Sequence, residues 1–322
     1  MRLARLLLGR LGAFALSLAV ASLVVFLLLN LLPGDVAQVV LGANATPEAV
    51  EALRQHMGLD VPVMVRYGRW LAGLVHGSFG ASAFTGQAVG GLIAPRLGVT
   101  VSLVVGGMVL AVAIALPAGA FAAMRRRERS GLVVMVASQA GMAVPAFVAG
   151  IALVMVFAVG LQWLPANGYT PLTEDPAQWL RRLILPWTSL ALVQAAVLVR
   201  YTRGAFIDVL DQDYMRTARS IGWQRRKAVM RHGLRNASLQ IITVLGLQLA
   251  TLLVGAVVIE NVFVLNGLGS LLLRSVANRD LPVVQAIVLV LVAFILLINL
   301  LVDLAYLVID PRLRSESSEV VS

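Results

Sequence analysis

Six long apolar runs decide which solvent this chain folds in. They cover Leu11–Leu32, Thr100–Met124, Leu132–Leu161, Leu183–Val199, Leu239–Phe263 and Leu281–Ile309. About 20 mainly apolar residues let a helix cross a hydrocarbon core of ~30 Å. Composition points the same way, because 59% of the chain is hydrophobic and only 13% charged. Soluble domains are roughly 45–50% apolar and about 25% charged. So little polar surface cannot clothe a water-soluble body. The expected fold class is therefore an all-α membrane protein with six transmembrane helices, its main partner the lipid bilayer. Pro117, Pro145 and Pro186 fall inside three of the runs. A proline is tolerated there where neighbouring helices satisfy the freed backbone groups.

Arg2, Arg5 and Arg10 precede the first run and resemble the basic start of a signal peptide. The run itself exceeds the 7–15 residues of a signal-peptide core, so it reads as a retained span. Orientation follows from the cations. With the N-terminus in the cytoplasm, segments 1–10, 125–131, 200–238 and 310–322 hold 18 of the 26 Lys and Arg. The opposite segments, 33–99, 162–182 and 264–280, hold the other eight. That bias follows the positive-inside rule. The net charge of +10 is then mainly an orientation signal, and no nucleic-acid partner is expected. Cysteine is absent and His56, His76 and His232 lie far apart, so neither a thiolate site nor a metal cluster is expected.

The segment 33–99 is too long for a bare connector. Thr46 suits a helix cap, Pro47 the first helical position and Gly58 the end, predicting a helix over 47–57. A second amphipathic helix is expected over Val63–Val75, with Tyr67 and Trp70 suited to the membrane interface. The segment 200–238 is far more polar than its surroundings. Asp208, Asp211 and Asp213 favour a helix start through the macrodipole. Gly222, costly inside a helix but at ease with φ > 0, predicts a break. Helix, glycine, helix would present a knob on the cytoplasmic face; the bland reading is a basic loop that anchors lipid headgroups.

The spacing in that segment carries a resemblance. Arg216-Thr217-Ala218, three residues, Gly222, nine residues, then His232-x-Leu234 is similar to the E-A-A-x(3)-G-x(9)-I-x-L-P signature of membrane subunits of ATP-binding-cassette importers. The glutamate, first alanine, isoleucine and proline are replaced. The form Arg-Thr-Ala-Arg-x-x-Gly resembles the dipeptide/oligopeptide/nickel branch. Further motifs of that branch follow in order: Leu32-Pro33-Gly34-Asp35, Leu234-Arg235-Asn236-Ala237, Asn278-Arg279-Asp280-Leu281-Pro282-Val283-Val284-Gln285, and Asn299 through Asp303 and Tyr306 to Asp310-Pro311-Arg312. Asn266 stands where relatives usually carry proline.

The resemblance implies a type I ABC importer (MetI-like) permease fold with both termini cytoplasmic. Its parts are an N-terminal helix over 1–32, an external helical loop over 33–99, and a five-helix core over 100–322 with a coupling loop at 200–238. It also implies a second homologous permease subunit, two ATP-binding cassette ATPase subunits, an extracytoplasmic solute-binding protein, and a place in a bacterial or archaeal cytoplasmic membrane. ATP and Mg would sit on the partners. A phosphate-binding loop needs a lysine after its glycine turn, and the one lysine, Lys227, lies in an arginine-rich stretch. The chain is therefore expected not to be an enzyme. Contact with the ATPase falls, by resemblance, on Tyr214, Arg216, Thr217, Ala218, Arg219 and Gly222.

Within the spans, Gln139, Gln194, Gln248 and Glu260 are candidates for a translocation path. Interhelical structural hydrogen bonds explain each equally well. Two competing readings stay open at this level. A self-contained secondary transporter would show inverted repeats and midplane charges, and a non-transporting scaffold would not need the cytoplasmic knob. Cargo among relatives of this branch includes dipeptides, longer peptides, nickel chelates, glutathione and glycosides.

Overall fold

The computed structural model describes residues 2–31, 45–56, 60–223 and 234–309, together with 38, 41 and 58. The Leu32–Asp35 and Asp310–Arg312 motifs lie outside the described residues. All described regular structure is helical, apart from an isolated antiparallel bridge between Ala81 and Ala88. Helix α1 is Arg2–Asn30, α2 Pro47–His56, α3 Val63–Val75 and α4 Val89–Met124. Helix α5 is Arg129–Ala143, and α6 is Ala146–Leu153 with a π-helical continuation over Val154–Gly160. Then come α7 Pro176–Leu210, α8 Asp213–Ser220, α9 Leu234–Val262, α10 Leu268–Ala277 and α11 Leu281–Ile309.

Helices α1, α4, α7, α9 and α11 are each long and apolar enough to cross a membrane. The sixth expected span, Leu132–Leu161, is two helices bent by 97° at the α5/α6 break. The cause is local. Val144 is held extended at ψ 119° before Pro145, as the residue preceding a proline usually is. Pro117 has no such effect, because α4 runs through it to Met124.

The fourth run also needs correction: it is not Leu183–Val199 but the 35 residues of α7. Arg181, Arg182, Arg200 and Arg203 lower the hydropathy at both ends and hide the helix there. Its start is well made. Pro176 occupies the first turn, and the Asp175 carboxylate accepts from the backbone N–H groups of Ala177 at 2.9 Å and Gln178 at 3.0 Å. At 1.5 Å per residue, 35 residues reach roughly 50 Å, so α7 is longer than the hydrocarbon layer is thick.

The chain divides into two compact units, residues 1–100 with 266–297 and residues 101–265 with 298–322. In the first unit α3 lies on α1. Phe26 of α1 is buried, with its ring 5.3 Å from Tyr67 and 5.9 Å from Trp70. Ser22 donates to the Ala19 carbonyl, which leaves its oxygen to accept from the Tyr67 hydroxyl at 2.9 Å. Tyr67 and Trp70 thus hold α3 to α1. Further along, the buried Asp280 carboxylate accepts from the Ser82 hydroxyl and, at 3.0 Å, from the Ala83 N–H. This ties the 81–88 turn to the start of α11. Val89, Ile93, Leu268, Leu271, Val283 and Ile287 form the core of the unit. Helix α10 begins where the Leu268 N–H donates to Thr100 Oγ1 at 2.8 Å.

In the second unit α7 is the central element, packed against α5, α6 and α9. Lipid tails are as apolar as leucine, so such contacts rest on close packing and interhelical hydrogen bonds rather than on escape from water. The Ser138 hydroxyl of α5 donates to the Ala196 carbonyl of α7. The Trp187 indole donates to the Ser102 carbonyl of α4 at 2.9 Å. That indole lies directly over Gly106, where a Cβ would sit 2.1 Å from its Cε2 atom. Gly119 is equally confined, 2.6 Å from Thr202 Cβ. Only hydrogen fits at either place.

Candidate functional site

The polar segment expected to begin at Arg200 starts as the last turns of α7. Asp211 caps that helix end, and only Gln212 separates it from the first residue of α8. Asp213 opens α8, where a carboxylate meets the positive end of the helix dipole. The Thr217 hydroxyl donates back to the Asp213 carbonyl at 3.1 Å. Its one proton is therefore used within the helix, which leaves only acceptor capacity for a partner. The side chains of Arg216, Ala218 and Arg219 lie outside the described residues, although their backbone is part of α8. The second helix expected after the glycine falls in 224–233, also outside the described residues.

Helix α8 has two different faces. Tyr214, Thr217 and Ile221 follow at spacings of three and four, which stacks them along one side. All three are exposed, Ile221 to 72%. Met215 points the other way and is 1% exposed. It joins a cluster with Ala123 of α4, Ala205, Phe206 and Val209 of α7, and Ala237 and Ile241 of α9. Gly222 has φ +91° and open space around its Cβ position. Its requirement is thus conformational rather than steric. The turn it makes returns the half-buried Trp223 to the cluster that holds Met215. An exposed ridge is thereby held between the buried Met215 and the half-buried Trp223.

A charged contact supports the same corner. The turn between α4 and α5 carries Arg126, whose guanidinium forks onto Asp211 with both nitrogens at 2.8 Å from the carboxylate oxygens. The hydrogen bonds and then the charge of Asp211 hold the Arg126 proton more tightly than in free arginine. Nearby, Gln240 of α9 donates to Asp208 at 3.4 Å.

The four polar candidates of the spans differ in burial. Gln194 is buried and donates to the Gln248 backbone carbonyl at 3.3 Å, which joins α7 to α9. Gln248 is half-buried, and Gln139 is exposed on α5. Glu260 is fully buried, and its carbonyl accepts from the Leu265 N–H at 2.7 Å. Among the described residues no group of three or more His, Asp or Glu could hold a metal ion.

Sequence reasoning named Tyr214, Thr217 and Gly222 but missed Ile221, Met215 and the Arg126–Asp211 fork. Helical spacing would have put Ile221 on the face of Tyr214 and Met215 on another. No local signal pairs Arg126 with a residue 85 positions away.

Two family models match this chain. The model described as "Binding-protein-dependent transport system inner membrane component" matches residues 115–315, and its N-terminal companion matches residues 3–104. A probable peptide ABC transporter permease protein of Sinorhizobium fredii is 39% identical over 96% of this chain and 98% of its own. A putative peptide transport system permease protein of Brucella abortus is 42% identical over 92% of this chain and 94% of its own. The glutathione transport system permease protein of Escherichia coli is 40% identical over 92% and 95%.

Proposed function

The chain belongs to the family of binding-protein-dependent transport system inner membrane components, and from that premise we propose that it forms half of the channel of a peptide importer. It is a multi-pass permease of the cytoplasmic membrane, not itself an enzyme. Membership sets aside the self-contained secondary transporter, because a component of such a system works with ATPase and binding-protein partners. In our reading a second similar permease completes the channel, two ATPase subunits sit on the cytoplasmic side, and the solute-binding protein delivers cargo outside. Both termini are cytoplasmic, in keeping with the bias of Lys and Arg toward 1–10, 125–131, 200–238 and 310–322. Peptides are the favoured cargo because two similar permeases bear that name, and glutathione, the cargo named for a third, is itself a small peptide.

The observation that carries the proposal is the ridge of α8. An isoleucine 72% exposed beside an exposed tyrosine, on a helix whose opposite side is anchored, suits a surface that a partner covers. ATP-driven closure of the ATPase pair would push on this ridge, tilt the attached spans and switch the cavity from inward-facing to outward-facing. The coupling needed is of order 1–3 kcal/mol. Arg216, Ala218 and Arg219 belong to the same docking helix. Gln194 and Gln248 are the proposed members of the path, since they meet at the α7–α9 contact.

Purification and mutagenesis test this reading. ATPase subunits should co-isolate with the chain, and Gly222→Pro or Ala218→Trp should abolish uptake while leaving the chain inserted in the membrane. Normal uptake and normal stimulation of ATP hydrolysis in both variants would overturn the coupling role.

A further inference from the structure

The Arg126–Asp211 fork lies in the joint between α7 and α8 and the buried Met215 just after it, and together they suggest how that joint is held. Between α7 and α8 the chain has only Asp211 and Gln212, and a linker that short would by itself act as a hinge. Two contacts stiffen it. The first is the fork, in which the two terminal guanidinium nitrogens each donate to one carboxylate oxygen at 2.8 Å. A bidentate pair fixes orientation as well as distance. The second is Met215, 1% exposed, set in a cluster drawn from α4, α7 and α9. A hinge with one restraint still swings, whereas a helix held by an apolar peg and a fork moves with its support.

We propose that Arg126, Asp211 and Met215 are positioning residues that mount α8 rigidly on the α4–α5 turn and the end of α7, so that a push on α8 moves those spans instead of bending the linker. The proposal rests on the coupling role given above and adds the path by which force enters the spans. Arg126 touches no partner in this account and acts only by holding α8.

The chain contains no cysteine, so two nitroxide labels can be placed at Arg127→Cys, in the α4–α5 turn, and Ser220→Cys, at the end of α8. Distances are measured in the assembled transporter, first without nucleotide and then with ATP and vanadate. The mount predicts one narrow distribution that nucleotide does not shift. Arg126→Asp and Asp211→Arg should each broaden it and make it shift with nucleotide, and the double exchange should restore the narrow peak. Met215→Ala should broaden it as well, with Met215→Leu close to the unmodified chain. If a charge reversal prevents insertion, Arg126→Gln and Asp211→Asn remove the fork without placing like charges together. Unchanged narrow distributions in the single variants, or a double exchange as broad as the singles, would overturn the mount. The nucleotide-free measurement judges it even if no ATPase subunit co-isolates, a failure that would count against the proposed function instead.

Discussion

Replacing Gly106 with alanine probes a close helix contact of the second unit. The new methyl would lie 2.1 Å from Cε2 and 2.2 Å from Nε1 of Trp187, so the indole must move. Overpacking of this kind costs about 1–3 kcal/mol. The displaced indole also loses its 2.9 Å bond to the Ser102 carbonyl, worth about 0.5–1.5 kcal/mol. Alanine regains about 1 kcal/mol of helix propensity. The net expectation is destabilisation near 2 kcal/mol. The ring has somewhere to go, because a groove of about 690 Å³ lies beside it, lined by Val105, Val109 and Ile184 among others. Using that space lowers the overpacking cost but still breaks the bond to Ser102. Gly98 of α4 is the control, since nothing lies within 4 Å of its Cβ position; Gly98→Ala should be neutral or stabilising by up to about 1 kcal/mol. Unfolding in detergent micelles, followed by helical circular dichroism, compares the two. In a Trp187→Leu background the penalty of Gly106→Ala should vanish, a coupling that a double-mutant cycle isolates. Equal stability of the Gly98 and Gly106 variants, or a penalty that persists without the indole, would refute the packing described here.

Other expectations follow from single contacts. Asp175→Ala removes a cap that accepts two backbone N–H groups and should destabilise the start of α7 by about 0.5–2 kcal/mol, seen as faster amide exchange over residues 177–179. Asp280→Ala leaves the Ser82 hydroxyl and Ala83 N–H without their carboxylate. A loss of about 1–3 kcal/mol is expected, with faster exchange over residues 81–88. Gln194→Leu removes the donor to the Gln248 carbonyl and should cost roughly 0.6 kcal/mol of helix association. If uptake falls while stability stays within that amount, Gln194 serves the path as well as the packing.

Much of the fold is legible because the signals are local. Helix α11 is found at its expected bounds of Leu281–Ile309, α3 at Val63–Val75, and α2 within a residue of its expected end. Where reading failed, two local signals competed. Arginines flanking an apolar run concealed both ends of α7, although Asp175-Pro176 is itself a cap-and-first-turn signature. Pro145 and Pro117 look alike in sequence, yet only the former ends a helix. Helix α10 gives no span signal, because ten residues are too few to cross a membrane. At the candidate site, Gly222 and the spacing around it identified α8, while its anchors went unseen.

Hydropathy and motif spacing add up along the chain without reference to distant residues, so the membrane solvent, most of the helices and the membership in an importer family can be read from the residues in order. Burial and pairing depend on what else arrives at the same point in space. Only the tertiary structure, therefore, could decide that Met215 is a peg among α4, α7 and α9 while Ile221, six residues later, stays exposed. The same holds for Arg126 meeting Asp211 across 85 residues and Ser82 meeting Asp280 across 198. These contacts fix how the helices pack within each unit.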